Sequence, residues 1–106
     1  MGRTLKLSPE SALLAMTIPF GRDKAISREA LTELLHTSDR VMRRMIQHAR
    51  EEGLIILNAQ DGSGYFQSAD LADMEAQYRQ DTARAMAILK RRKHLRRILK
   101  EAGKKV

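Results

Sequence analysis

The sequence predicts a mainly α-helical fold: three short helices and a β-hairpin, followed by one long C-terminal helix. Three observations carry this. Aromatic side chains make up only 4% of the 106 residues and Trp is absent, so aliphatic and Met side chains must fill the interior, which favours packed helices. Serines suited to helix N-caps stand at positions 8, 27 and 38, each ahead of apolar residues at helical spacing. No Pro or Gly interrupts the chain from Ser68 to Ala102.

Ser8-Pro9 reads as a helix start, with Ser as cap and Pro at the first helical position, where no donor is lost. Ala12, Leu13, Leu14 and Met16 supply the apolar side of this first helix, and Pro19 and Gly21 end it. Residues 18–24 read as a loop, and Ala25-Ile26 as a very short strand. Ser27 caps a second helix over residues 28–35, with Ala30, Leu31, Leu34 and Leu35 as its apolar set. His36-Thr37 make a turn. Ser38 caps the third helix, and Asp39 in its first turn complements the helix dipole. Met42, Met45, Ile46 and Ala49 follow the i, i+3, i+4, i+7 rule and form a buried stripe, and Gly53 ends the helix in a left-handed conformation.

Leu54-Ile55-Ile56-Leu57 and Tyr65-Phe66 are short β-favouring runs joined by the turn-rich segment 58–64, which together predict a hairpin. The two aromatics point to opposite faces of it. The long helix then begins at a cap on Ser68 or Asp70 and runs to Gly103. At about 33 residues it would span about 50 Å. The expected organisation is therefore a domain over residues 1–67, the long helix over 68–102 and a tail over 103–106.

Composition bounds the function. The chain has no Cys, which excludes disulfides and thiolate-bound metal and fits a reducing cytoplasm. No apolar run approaches the roughly 20 residues that span a bilayer, and MGRTLKLSPE lacks a signal peptide's apolar stretch. His36, His48 and His94 match no zinc-ligand spacing, so neither metal nor cofactor is expected. Gly-rich phosphate loops, nucleophile elbows and paired carboxylates are missing, which points away from an enzyme. The net charge of +7 is unevenly placed: residues 84–106 carry 10 basic and 1 acidic side chains, while residues 1–69 are nearly balanced. Polyanions are the natural partners of such a tail.

The order helix, short strand, helix, turn, helix, hairpin is that of a winged helix-turn-helix, whose third helix enters the DNA major groove. With the Met stripe inside, the outer face of the third helix holds Arg40, Arg44, Gln47 and Glu51, with Arg43 on its flank. Arg pairs bidentately with guanine and Gln with adenine, so these side chains suit base recognition in double-stranded DNA. Thr37 and Ser38, with the free N–H groups of the first turn, suit a phosphate. Lys90, Arg91, Lys93, Arg96 and Arg97 suit nonspecific phosphate contact, or simply a solvated face.

Ile26-Ser-Arg-Glu-Ala-Leu-Thr-Glu-Leu-Leu-His-Thr-Ser38, continued through Ile46-Gln47, Arg50, Gly53 and Gly64-Tyr65, resembles the N-terminal winged-helix domain of biotin operon repressors. The layout is also similar to small winged-helix proteins of bacteria and their prophages. The likeness covers about residues 25–67, and it implies sequence-selective DNA binding by the third helix and a role in transcription regulation. The ligase domain of that family has no counterpart in a chain of this length. The hairpin tip has Asp61 and no Lys or Arg, unlike the family's basic wing, and Glu51 and Glu52 lower the positive field at the end of the third helix. These acidic features favour an alternative, a protein-interaction adaptor in phage replication or host takeover. RNA binding through the basic tail is a third possibility.

In the long helix, Leu71, Met74, Tyr78, Asp81, Ala85, Ile88, Arg92, Leu95, Leu99 and Ala102 recur at alternating spacings of three and four. This seam suits either packing within the chain or a homodimer. In an antiparallel pairing whose opposed residue numbers sum to 173, its two charged breaks, Asp81 and Arg92, face one another. A parallel pair would set each beside its own copy. Membrane binding is disfavoured, because the stripe lacks Trp and Phe.

Overall fold

A computed structural model describes residues 6–59 and 61–106. Residues 1–5, part of the stretch read for a signal peptide, and Gln60 of the hairpin connection lie outside the described residues. The elements are α1 (Pro9–Thr17), α2 (Arg28–Leu35), α3 (Asp39–Glu51), β1 (Ile56–Asn58), β2 (Tyr65–Gln67) and α4 (Leu71–Glu101). The fold is thus mainly helical, with one antiparallel hairpin and a long C-terminal helix. It forms two compact units, one up to Met74 and one over Glu75–Val106, which divide within α4.

Each short helix starts on its serine. The hydroxyls of Ser8, Ser27 and Ser38 accept hydrogen bonds from the N–H groups of Ser11 (3.3 Å), Ala30 (3.1 Å) and Val41 (3.2 Å). α3 ends in paired bonds from Gly53 N–H to the Arg50 carbonyl (3.0 Å) and from Leu54 N–H to the Ala49 carbonyl (3.0 Å), with Gly53 at φ 104°. This is the Schellman arrangement that the glycine permits. α2 ends the same way, but with His36 in the left-handed position at φ 51°.

The core joins Leu14 and Ile18 to Leu31 of α2, to Met42, Ile46 and Ala49 of α3, and to Ile56 and Tyr65 of the hairpin. Leu57 and Phe66 are opposed across the two strands and pack with Ala59 in a second cluster. Adjacent strand residues therefore serve different clusters, as a period of two requires. Beyond the hairpin, Ile26 and Tyr65 exchange N–H···O bonds of 2.8 Å in each direction, a single bridged pair beside β2 where the sequence suggests a very short strand. Gln67, 4% exposed, donates its amide to the carbonyls of Ala15 (2.9 Å) and Ile18 (2.7 Å), tying β2 to the end of α1.

Several local expectations are corrected. Only Leu14 of the expected apolar set of α1 is fully buried; Leu13 and Met16 are exposed, and Ser11 and Ile18 take the inward positions. Leu34 of α2 is also exposed. The loop 18–24 contains a 3-10 turn over Arg22–Lys24. β1 begins at Ile56, because Leu54 is used to close α3. Asp70, not Ser68, caps α4: its carboxylate accepts from Ala72 N–H (2.9 Å) and its carbonyl from Met74 N–H (3.1 Å).

Ser11 is buried because of Glu52. The Glu52 carboxylate accepts from the hydroxyls of Ser11 and Ser8 and from Ser8 N–H (3.2 Å), with His48 Nε2 at 3.6 Å. One residue beyond α3 thus holds the start of α1. The Ser11 hydroxyl first, then the Ser8 groups and His48, hold the Glu52 carboxyl below the ordinary glutamate range, against a smaller opposing effect of desolvation. Asp73 is likewise lowered, by hydrogen bonds from Arg22 and Ser68. A carboxylate lowered in the folded state stabilises above its unfolded pKa, and that contribution is lost as pH falls through the folded value. Melting temperature is therefore expected to drop on acidification below the ordinary carboxylate range. Glu52→Gln is expected to melt lower at neutral pH and to show a shallower acid limb in a calorimetric pH series. Parallel acid limbs would remove Glu52 from this role.

Candidate nucleic-acid interface

The local reason for an outward arginine face on α3 is its period. Met42, Ile46 and Ala49 are buried at 0–2% exposure and Met45 packs partly beneath them, so residues 40, 43, 44, 47 and 51 must lie outside. All five are exposed. The core contacts of α1 and α2 fix the rotation of α3, so the direction of this face follows from packing rather than from the arginines themselves.

The four expected base-reading side chains are not equivalent. The Arg40 and Arg44 guanidiniums have no hydrogen bond or ion pair among the described residues. Arg43 Nε lies 2.9 Å from Asp39 Oδ2, one turn back, and the same carboxylate is 3.8 Å from Arg28 Nε. These pairs are exposed on both sides, and such pairs hold by about 0–1 kcal/mol, so a phosphate can displace them. Gln47 is exposed one turn beyond Arg43 and Arg44. Arg28, in the first turn of α2, is thereby brought beside the start of α3. Spacing along the sequence assigns this cation no role, although its place directly after the Ser27 cap is a signal for one.

The expected phosphate cradle is altered in part. The Ser38 hydroxyl is engaged by Val41 N–H, and Thr37 N–H bonds the Thr32 carbonyl at 3.1 Å, so these two groups already serve the helix ends. The remaining first-turn N–H groups of α3, with the dipole behind them, are what the site offers an anion.

The hairpin tip contributes no cation among the described residues. Asp61 Oδ1 accepts from Ser63 N–H at 2.9 Å, and the Ser63 hydroxyl and N–H hold the Asp61 carboxyl below its usual range. The tip acid is therefore occupied in shaping the turn. Arg50, although exposed, is engaged as well: its Nε donates to the Ile56 carbonyl (2.9 Å) and its terminal nitrogen to Asn58 Oδ1 (2.9 Å), which fastens β1 to α3. Of the two acids expected to lower the field near α3, Glu52 is consumed by α1, and Glu51 stays exposed.

In the second unit, Lys90, Arg91, Lys93, Arg96 and Arg97 are all exposed. At 100° per residue, Lys90, Lys93, Arg96 and Arg97 share one side of α4, and Ile88, Leu95 and Leu99 lie on the other. Among the described residues, no three His, Asp or Glu side chains gather in a metal-binding group, and no helix is long and apolar enough to cross a membrane. Comparison with protein-family models, curated proteins and solved structures finds no match to this chain.

Proposed function

We propose that this chain is a double-stranded DNA-binding protein of winged helix-turn-helix architecture, acting as a transcriptional regulator of bacterial or prophage genes in the cytoplasm or nucleoid. One observation carries the reading. α3 buries its Met42, Ile46 and Ala49 side and leaves Arg40 and Arg44 exposed and unpartnered at its N-terminal half. That half is where a recognition helix meets base edges. The element order supports the same reading, as does the pairing of Ile26 with Tyr65, which matches a short strand between the first two helices of such a domain.

In this reading Arg40, Arg44 and Gln47 contact bases, and Arg43 and Arg28 exchange Asp39 for phosphates. The cations of α4 add affinity that falls as salt rises. No catalytic step is assigned to the chain. A second reading, a protein-interaction adaptor, is favoured by the hairpin tip, whose Asp61 leaves it without the cations a wing needs to hold DNA.

Repeated selection of bound molecules from a random duplex pool separates the two. Enrichment of one recurring sequence supports the regulator. A pool that stays random after selection supports the adaptor and contradicts base reading by α3.

A further inference from the structure

α4 carries a row of apolar side chains that its own chain leaves uncovered. Leu71 is 78% exposed, Tyr78 73%, Ile88 53%, Leu95 58% and Leu99 40%. They fall on one heptad seam, interrupted only by Asp81 and Arg92. A seam of this period over 31 residues is the surface that a second helix of the same kind fits.

We infer that the occupant is α4 of a second copy of this chain, running antiparallel, with Asp81 of each protomer opposite Arg92 of its partner. Three observations carry this. The first is the charge of the two halves. Residues 71–86 hold 3 acidic and 2 basic side chains, and residues 87–102 hold 7 basic and 1 acidic. A parallel dimer sets the two strongly basic halves side by side, whereas an antiparallel dimer sets each against a mildly acidic one.

The second observation is the register. Pairing Asp81 with Arg92 puts the two-fold axis between residues 86 and 87. The midpoint of α4, Leu71–Glu101, is Met86. The one register that matches both charged breaks therefore also overlaps the helices along nearly their whole length. A shift of one heptad either way sets Asp81 against Ala85 or Leu99 and shortens the overlap.

The third observation is the flank. In this register Glu75 stands beside Arg96 of the partner subunit, in addition to its own Arg79. One flanking pair is unfavourable, Arg84 beside Arg91 of the partner subunit, and both are long side chains at the edge that can turn to solvent. At the breaks, Asp81 accepts one hydrogen bond from Gln77 Nε2 (3.0 Å), and Arg92 has no partner among the described residues. The carboxylate keeps an oxygen for the partner's guanidinium.

Sedimentation equilibrium of the full chain tests this. Wild type is expected to dimerise. Asp81→Arg and Arg92→Asp should each weaken the dimer on the order of 30-fold, because two symmetry-related pairs are broken and like charges are opposed. The double variant Asp81→Arg/Arg92→Asp should recover most of the wild-type affinity. With no native Cys, introduced thiols report the direction: Met74→Cys mixed with Leu99→Cys should form a mixed disulfide, and Leu99→Cys alone should not. A monomeric wild type, an Asp81→Arg variant that dimerises undiminished, a double variant without recovery, or a Leu99→Cys homodisulfide would each overturn the proposal.

Discussion

Replacing Gly64 with alanine is expected to destabilise the first unit by roughly 3–5 kcal/mol, most of what a domain of this size has to lose. Gly64 sits at φ +142°, and a Cβ built there meets the Ile26 carbonyl oxygen at 1.9 Å and its carbon at 2.4 Å. Neither atom can swing aside as a side-chain tip would. The same Ile26 carbonyl accepts from Tyr65 N–H at 2.8 Å, and Gly64 itself accepts from Ala59 N–H at 2.8 Å. Making room for a methyl group therefore pulls the bridged segment at residue 26 off the hairpin. It breaks the two reciprocal Ile26–Tyr65 backbone bonds, of about 1 kcal/mol each, and adds the cost of an unfavourable φ. Tyr65, 6% exposed in the main core, moves with it.

Gly62 is the control. It also has a positive φ, +80°, but an added Cβ meets nothing within 4 Å. Gly62→Ala should cost only about 1 kcal/mol, the conformational part alone. Calorimetry should show the Gly64→Ala melting temperature lower by at least 12 °C, at about 4 °C or more per kcal/mol, and Gly62→Ala displaced by a few degrees. Equal, small displacements would mean that the Ile26 approach does not restrain the fold.

What is legible in the sequence divides by the range of the interaction involved. The bounds of α2 and the face of α3 are readable because they rest on local signals: Ser27 and Ser38 as caps, Gly53 as a stop, and the spacing of Met42, Ile46 and Ala49. The same holds for the outward direction of Arg40, Arg44 and Gln47, which follows once the opposite side is buried. α1 is less readable, since nearly every position of PESALLAMT is small or apolar and its period selects no face. Glu52 decides the matter by drawing Ser11 inward from 41 residues away. The bonds of Gln67 to Ala15 and Ile18, separated by 52 and 49 residues, leave no trace in local pattern either. Nor does the duty of Arg50 toward β1, since a guanidinium near a helix end reads equally as a surface charge. At the candidate site, the pairing of Arg43 with Asp39 is available from the i, i+4 spacing, but the dipole role of Asp39 accounts for the same residue and hides it.

The second large effect concerns duplex binding. Arg40→Glu/Arg44→Glu removes two free guanidiniums from the N-terminal half of α3 and sets two carboxylates where the reading places base edges and phosphates. A good bidentate Arg–guanine contact discriminates by about 1–3 kcal/mol, and a carboxylate facing the polyanion adds repulsion. Together they should weaken binding about 100-fold or more. Both positions are exposed and make no contact that holds the fold, so the melting temperature should stay within the few degrees typical of surface changes. Neutralising Arg96 and Arg97 in α4 should behave differently. Affinity should fall uniformly for all sequences, and the salt dependence should flatten by up to about 0.9 in log–log slope for each phosphate no longer neutralised.

Fluorescence anisotropy of a labelled duplex, titrated at low salt with wild type and with Arg40→Glu/Arg44→Glu of matched stability, puts the outward face of α3 directly to the test. Saturable binding by wild type and a loss of two orders of magnitude in the variant is the predicted result. Equal binding by both proteins, or none by wild type, would contradict the assignment of α3 as the DNA-reading element.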